Sequence, residues 1–114
     1  MDWAEFAAQL LPQPHTVTIQ AYEGTGSIGP VYAAGVTVTP CIVEDTRRTV
    51  RVQTQDAAGR EAVSSTTVYV PPATTAPPGS LVTLPSGRTA EVLAASTLDA
   101  AGWDLPEHLE LALE

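Results

Sequence analysis

The side chains able to do chemistry are few and widely spaced in this chain. His15 and His108 stand at opposite ends of the sequence, and the one cysteine, Cys41, has no second cysteine or histidine at ligand spacing. A zinc site, which needs three or four such donors converging, has no candidate set. Asp99, Asp104, Glu107 and Glu110 form a loose acidic group. A calcium loop places acids at alternate positions around a central glycine, and these do not, so solvated carboxylates are expected. Gly24, Gly26 and Gly29 complete a G-x-G-x-x-G string. Phosphate binding by such a loop requires a helix to follow it, and Pro30-Val31-Tyr32 opens none, so no nucleotide is expected. Ser64, Ser65 and the many threonines have no base partner and suit strands better than nucleophiles. The expectation is a chain with no catalytic residue, no metal and no cofactor.

Charge narrows the partners. Five arginines and no lysine stand against 13 acids, a formal net charge of -8, which repels phosphate backbones at long range. DNA gripping is therefore not expected, although DNA could pass such a wall without being held. Arg47, Arg48 and Arg51 are the one local positive patch. They read either as solvent-side arginines balancing Glu44 and Asp45 or as a salt-bridge face between subunits, where an exposed pair contributes little unless networked. Trp103, between Gly102 and Pro106, is either a barrel plug or an interface anchor. Cys41 lies in an apolar, β-branched stretch and should pack as a small hydrophobe without a disulfide. The acidic start Met1-Asp2-Trp3-Ala4-Glu5 has no basic segment of a secretory signal, and no apolar run approaches a membrane span. Synthesis in the cytoplasm is expected.

The elements that must position these residues are mostly strands, in a single domain over 1–114. Asp2 to Leu11 predicts a short helix, with Asp2 as N-cap and Trp3, Phe6, Ala7, Leu10 and Leu11 on one face, stopped by Pro12 and Pro14. About ten residues are marginal alone, so Trp3 and Phe6 need a surface: the chain's own barrel, or a neighbour in an assembly. Alternation then predicts a strand over 16–22, with Val17, Ile19 and Ala21 on one face. Glu23 to Gly35, with four glycines and a proline, reads as a long irregular excursion in which Val31 and Tyr32 pair briefly. Strands over 36–44, 48–54 and 61–70, joined by turns at 44–47 and 55–60, read as a three-stranded meander. Pro40 implies a bulge or an edge position. Pro71 to Gly79 reads as an extended connector rather than a packed element. Ser80–Leu84 and Arg88–Ser96 form a hairpin around Gly87, 97–107 is a loop, and His108–Glu114 closes with Leu109, Leu111 and Leu113 on one side. The fold class is all-β, a small antiparallel barrel or sandwich with a short N-terminal helix and long loops.

Four segments occur in a telling order: Gly29-Pro30-Val31-Tyr32; Val63 through Pro71; Gly79-Ser80-Leu81-Val82-Thr83-Leu84-Pro85-Ser86-Gly87-Arg88; and Pro106 through Glu114. Each is strand and turn chemistry; the order and spacing resemble the head-closure, or head-to-tail stopper, proteins of long-tailed phages of actinobacteria, over about Thr16 to Glu114. That resemblance implies a small β-barrel assembling as a ring in the virion neck. Its partners would be copies of itself, the portal-adaptor protein on one face and a tail terminator or tail tube protein on the other, with no membrane and no specific DNA binding. Loops projecting into the channel would retain and release DNA. Their candidates are Gly24, Thr25, Gly26, Ser27, Ile28 and Gly29 in the excursion, and Asp56 and Arg60 in the 55–60 turn. Candidate interface residues are Trp3, Phe6, Arg47, Arg48, Arg51 and Trp103. A different class, an Ig-like or carbohydrate-binding module of a surface or secreted protein, is the alternative raised by the Thr-rich strands and the Pro/Thr connector.

Overall fold

The computed structural model describes residues 3–10, 14–54, 58–98 and 107–114, so Asp2, Asp56, Asp99, Trp103 and Asp104 lie outside the described residues. Among those described, one helix, α1 (Trp3–Leu10), precedes ten strands: β1 (His15–Gln20), β2 (Tyr22–Gly26), β3 (Gly29–Tyr32), β4 (Val36–Glu44), β5 (Arg48–Arg51), β6 (Glu61–Ser64), β7 (Thr66–Val70), β8 (Leu81–Thr83), β9 (Thr89–Leu98) and β10 (His108–Leu113). Six of them close into an antiparallel barrel in the order β1-β4-β7-β10-β9-β8, and β2-β3 and β5-β6 are separate two-stranded sheets. The barrel, not the sandwich, is thus the architecture, and closure leaves its strands without an open edge.

Alternation explains the interior. Val17 and Ile19 of β1, Val68 and Val70 of β7, Val82 of β8, Val92 of β9 and Leu109, Leu111 and Leu113 of β10 all point inward, with Cys41, Leu84 and Ala90 completing the same cluster. With no Phe, Tyr or Trp in that cluster, branched aliphatics fill a narrow barrel at the small diameter six strands allow. β4 is long enough to serve two neighbours: Val36, Thr37 and Val38 pair with β1, while Ile42, Val43 and Glu44 pair with β7. The register slips between His15↔Cys41 and Val17↔Val38, so the extra residue of a bulge sits at Thr39-Pro40, where proline has no N–H to give. The His15 ring stitches this slip together, its Nδ1 accepting the Val43 N–H at 3.0 Å.

Four sequence expectations are corrected. The 23–35 excursion is a regular hairpin: Thr25 faces Pro30 and Gly26 faces Gly29, with Ser27 and Ile28 at the turn. Its glycines serve the ladder rather than break it, for Gly24 occupies a bulge at φ +113° and Gly29 leaves the turn at φ +119°. The meander over 36–70 is absent: β5 pairs only with β6, and β4 pairs with β7 instead. The run read as one strand over 61–70 divides at Ser65, because the buried Ser64 hydroxyl bonds the carbonyls of Thr66 (3.1 Å) and Leu113 (2.8 Å), turning the chain from the hairpin into the barrel wall. Lastly, the connector after Pro71 is packed: Ala76 is 4% exposed and joins the core, held by turns in which Thr74 N–H bonds Pro71 O and Ser80 N–H bonds Pro77 O.

Candidate functional site

The two hairpins extending from the barrel are the candidate site, and the fold sets them side by side. A cleft of about 380 Å³ separates them, walled by Tyr22, Pro30 and Tyr32 on one side and by Val52, Arg60 and Ala62 on the other. The two loops proposed from sequence, 24–29 and the turn ending at Arg60, are therefore neighbours rather than features of opposite ends. Each is anchored below its tip. Tyr22 donates its N–H to Ser80 Oγ at 3.0 Å, and its ring lies against Gly79, where an added Cβ would come within 3.2 Å of it. Tyr22 and Tyr32 face each other across the hairpin with centroids 6.0 Å apart. In the second hairpin, Gln53 N–H bonds Leu93 O at 2.8 Å and the Gln53 side chain accepts the Ala95 N–H at 3.0 Å, tying the hairpin to β9. The Tyr22–Tyr32 pair was not singled out in the sequence, because the glycines between the two tyrosines hide their register.

Between these anchors and the tips the polypeptide carries little. Ile28 is 100% exposed at the β2-β3 turn, beside Ser27 and between Gly26 and Gly29. Gly59, at φ +87°, donates its N–H to Val52 O, and Val52 N–H bonds Arg60 O, closing the other turn. A second, larger groove of about 650 Å³ opens at the base of β2, between the 33–39 segment and the proline-rich connector.

The proposed interface residues take different places. Trp3 is intramolecular: it is 4% exposed on the barrel's outer wall, and its Nε1 donates to Pro40 O at 2.7 Å. It belongs to a run of rings in which Phe6, Trp3, His108 and Tyr69 succeed one another at centroid distances of 5.4, 5.6 and 5.6 Å, so α1 is clamped to β10 through His108 and to β4 through Pro40. Phe6 is half-buried beside Trp3. Arg48 pairs with Glu110 of β10 at 3.0 Å, not with Glu44 or Asp45. Those two acids accept hydroxyl bonds from Thr46 (2.9 Å) and Thr66 (3.1 Å), while β5 leaves β4 and lies beside β9. Arg47 and Arg51 are exposed, Arg51 opposite Glu61 in the ladder.

Titratable chemistry is muted. Among the described residues no three His, Cys, Asp or Glu side chains come together, and every buried side-chain N or O has a partner. Cys41 is fully buried, its thiol directed at His15 O at 3.1 Å, and desolvation pushes its pKa up to about 11, an effect that a hydrogen bond from the Val17 backbone partly offsets. Because the unfolded thiol ionises near 9.0, its contribution to stability is flat below that pH. It should then fall as the pH rises toward 11, where the unfolded state has lost a proton that the native state keeps. Burial likewise raises the pKa of Tyr69, which is present in both proteins, so denaturation with and without Cys41→Ser from pH 8 to 11 should show the steeper fall in the native chain; equal slopes would remove the cause. Compared with family models, curated proteins and solved structures, the chain matches none of them.

Proposed function

We propose that this chain is a non-enzymatic structural subunit of a phage neck, forming a ring between the portal-adaptor and the tail that closes the DNA-filled head and offers the tail its docking surface. The reading starts from the order of segments resembling head-closure proteins. One structural observation carries it: a closed six-stranded barrel, rigid and without open edges, from which two hairpins extend side by side. A barrel of that kind is a wall element, and paired hairpins are suited to a gate or a contact at a shared opening. The net charge of -8 agrees with a collar past which DNA slides. In this reading the virion neck is the chain's location, reached after synthesis in the bacterial cytoplasm.

The test is made on particles. Heads assembled without the chain should fill, then lose their DNA and fail to join tails, and adding the purified chain should restore both. Electron micrographs of the chain mixed with adaptor should contain rings. Heads that keep their DNA and acquire tails in its absence would end this reading.

A further inference from the structure

In a chain of net charge -8, two long stretches carry no charged residue at all, Gly24 to Val43 and Ala62 to Gly87. The fold brings them together. The first supplies the β2-β3 hairpin, the 33–35 link and most of β4; the second supplies β7 and the proline-rich connector. Between them lies the groove of about 650 Å³, with Ala33, Ala34 and Val36 on one side, Pro71, Ala73 and Pro77 on the other, and Glu23 the one charged residue at its rim among the described residues. Val36 is 60% exposed there, and Ile28, at the tip of the same hairpin, is wholly exposed.

The geometry points to a second copy of this chain as the occupant of the groove, with the Gly26–Gly29 tip of one copy, led by Ile28, inserted between the 33–36 segment and the connector of the next. Three observations select that occupant. The tip and the groove are a knob and a socket of matched, uncharged character on one molecule. The tip cannot fill its own groove, because Tyr22 lines the groove at the base of β2, and strand residues rising about 3.3 Å each carry the tip roughly 15 Å away from it. Two copies each carrying -8 repel through most of their surfaces, and an uncharged face is where they approach at least cost. A basic partner would instead be drawn to the acidic faces elsewhere.

Such a contact is head-to-tail, since each copy gives a tip and receives one, and repetition closes a ring or runs on as a filament. Ring closure rests on the neck reading above; the contact itself does not. It also assigns the 24–29 loop to joining subunits rather than to the channel.

Sedimentation velocity of the full chain, up to about 1 mM to reach the regime of small transient interfaces, should show association that strengthens with added salt as repulsion is screened. Ile28→Asp should weaken association about ten- to a hundredfold, the scale of losing one buried aliphatic side chain, while circular dichroism stays unchanged because the native side chain touches solvent only. Val36→Glu should block the socket, and Ala34→Glu, in the link rather than a strand, guards against misfolding of the first. The distinguishing sample is a mixture of tip variant and socket variant: one intact tip then meets one intact socket, so heterodimers form and nothing larger.

A native chain monomeric throughout the range, variants that associate like the native chain, or a mixture without heterodimers would each overturn the proposal. So would Ile28→Asp particles that fail while the isolated chain never associates, which would assign the tip to another neck component. If association depends on Ile28 yet heads lacking the chain retain their DNA, the contact stands and the neck reading falls.

Discussion

Leu111→Ala should cost about 2–5 kcal/mol of unfolding free energy, the largest loss expected from a single side chain here. Leu111 is 0% exposed on β10, the strand that joins β7 to β9 and so completes the ring of strands. Its neighbours in the cluster include a valine from every other barrel strand, with Ile19 from β1, stiff at χ1 and held on both sides by ladders, so they have little freedom to collapse into the space vacated. The cost should therefore sit in the upper half of the range. Leu111→Met, which conserves volume, should cost less than about 1.5 kcal/mol. Urea titrations of the three proteins test this, and an alanine variant within 1 kcal/mol of the native chain would mean the barrel interior is looser than its burial implies.

Trp3→Ala should have a similar local magnitude, about 3–5 kcal/mol, but a different outcome. An eight-residue helix is unstable by itself, so α1 exists through the indole's hydrogen bond to Pro40 and its stacking on His108. Removing more stabilisation than docking supplies releases the helix and leaves the barrel folded. Amide exchange should accelerate across residues 4–10 while β7 and β10 remain protected, and global stability should fall only by the docking energy. Loss of protection in β10 to the same extent would show that helix and barrel unfold as one unit.

Both predictions rest on residues whose positions were legible beforehand. The strict alternation of 108–113 gave the inward leucines, and the spacing of Trp3, Phe6 and Ala7 gave the helix face. The partner of Trp3 was not legible, because nothing local distinguishes a helix that folds onto its own barrel from one that reaches a neighbour. The β2-β3 hairpin was missed for a related reason. Gly24, Gly29 and Pro30 count as breakers in a one-dimensional reading, yet a bulge, a tight turn and an outer strand are where a ladder accepts them. The division of 61–70 into β6 and β7 depends on Ser64 meeting a carbonyl 49 positions away, which no window along the chain can contain. Likewise β4 and β5 are adjacent in sequence with a turn between them, and only the competing claim of β7 on Ile42 to Glu44 prevents their pairing.

The strand order has a kinetic consequence. Within the closed ring, β8-β9 is joined by a tight turn, whereas β1 must find β4, β4 must find β7, β7 must find β10, and Gln20 must meet Leu81 across most of the chain. Local hairpins form in about 1–10 μs, but a topology dominated by distant pairings folds in the millisecond-to-second regime. The β2-β3, β5-β6 and β8-β9 hairpins can thus exist while the wall is still open, and closure is the slow event. The same order works in reverse once the wall is shut: no barrel strand can leave without tearing two ladders together, so spontaneous opening should be rare on the timescale that formed it.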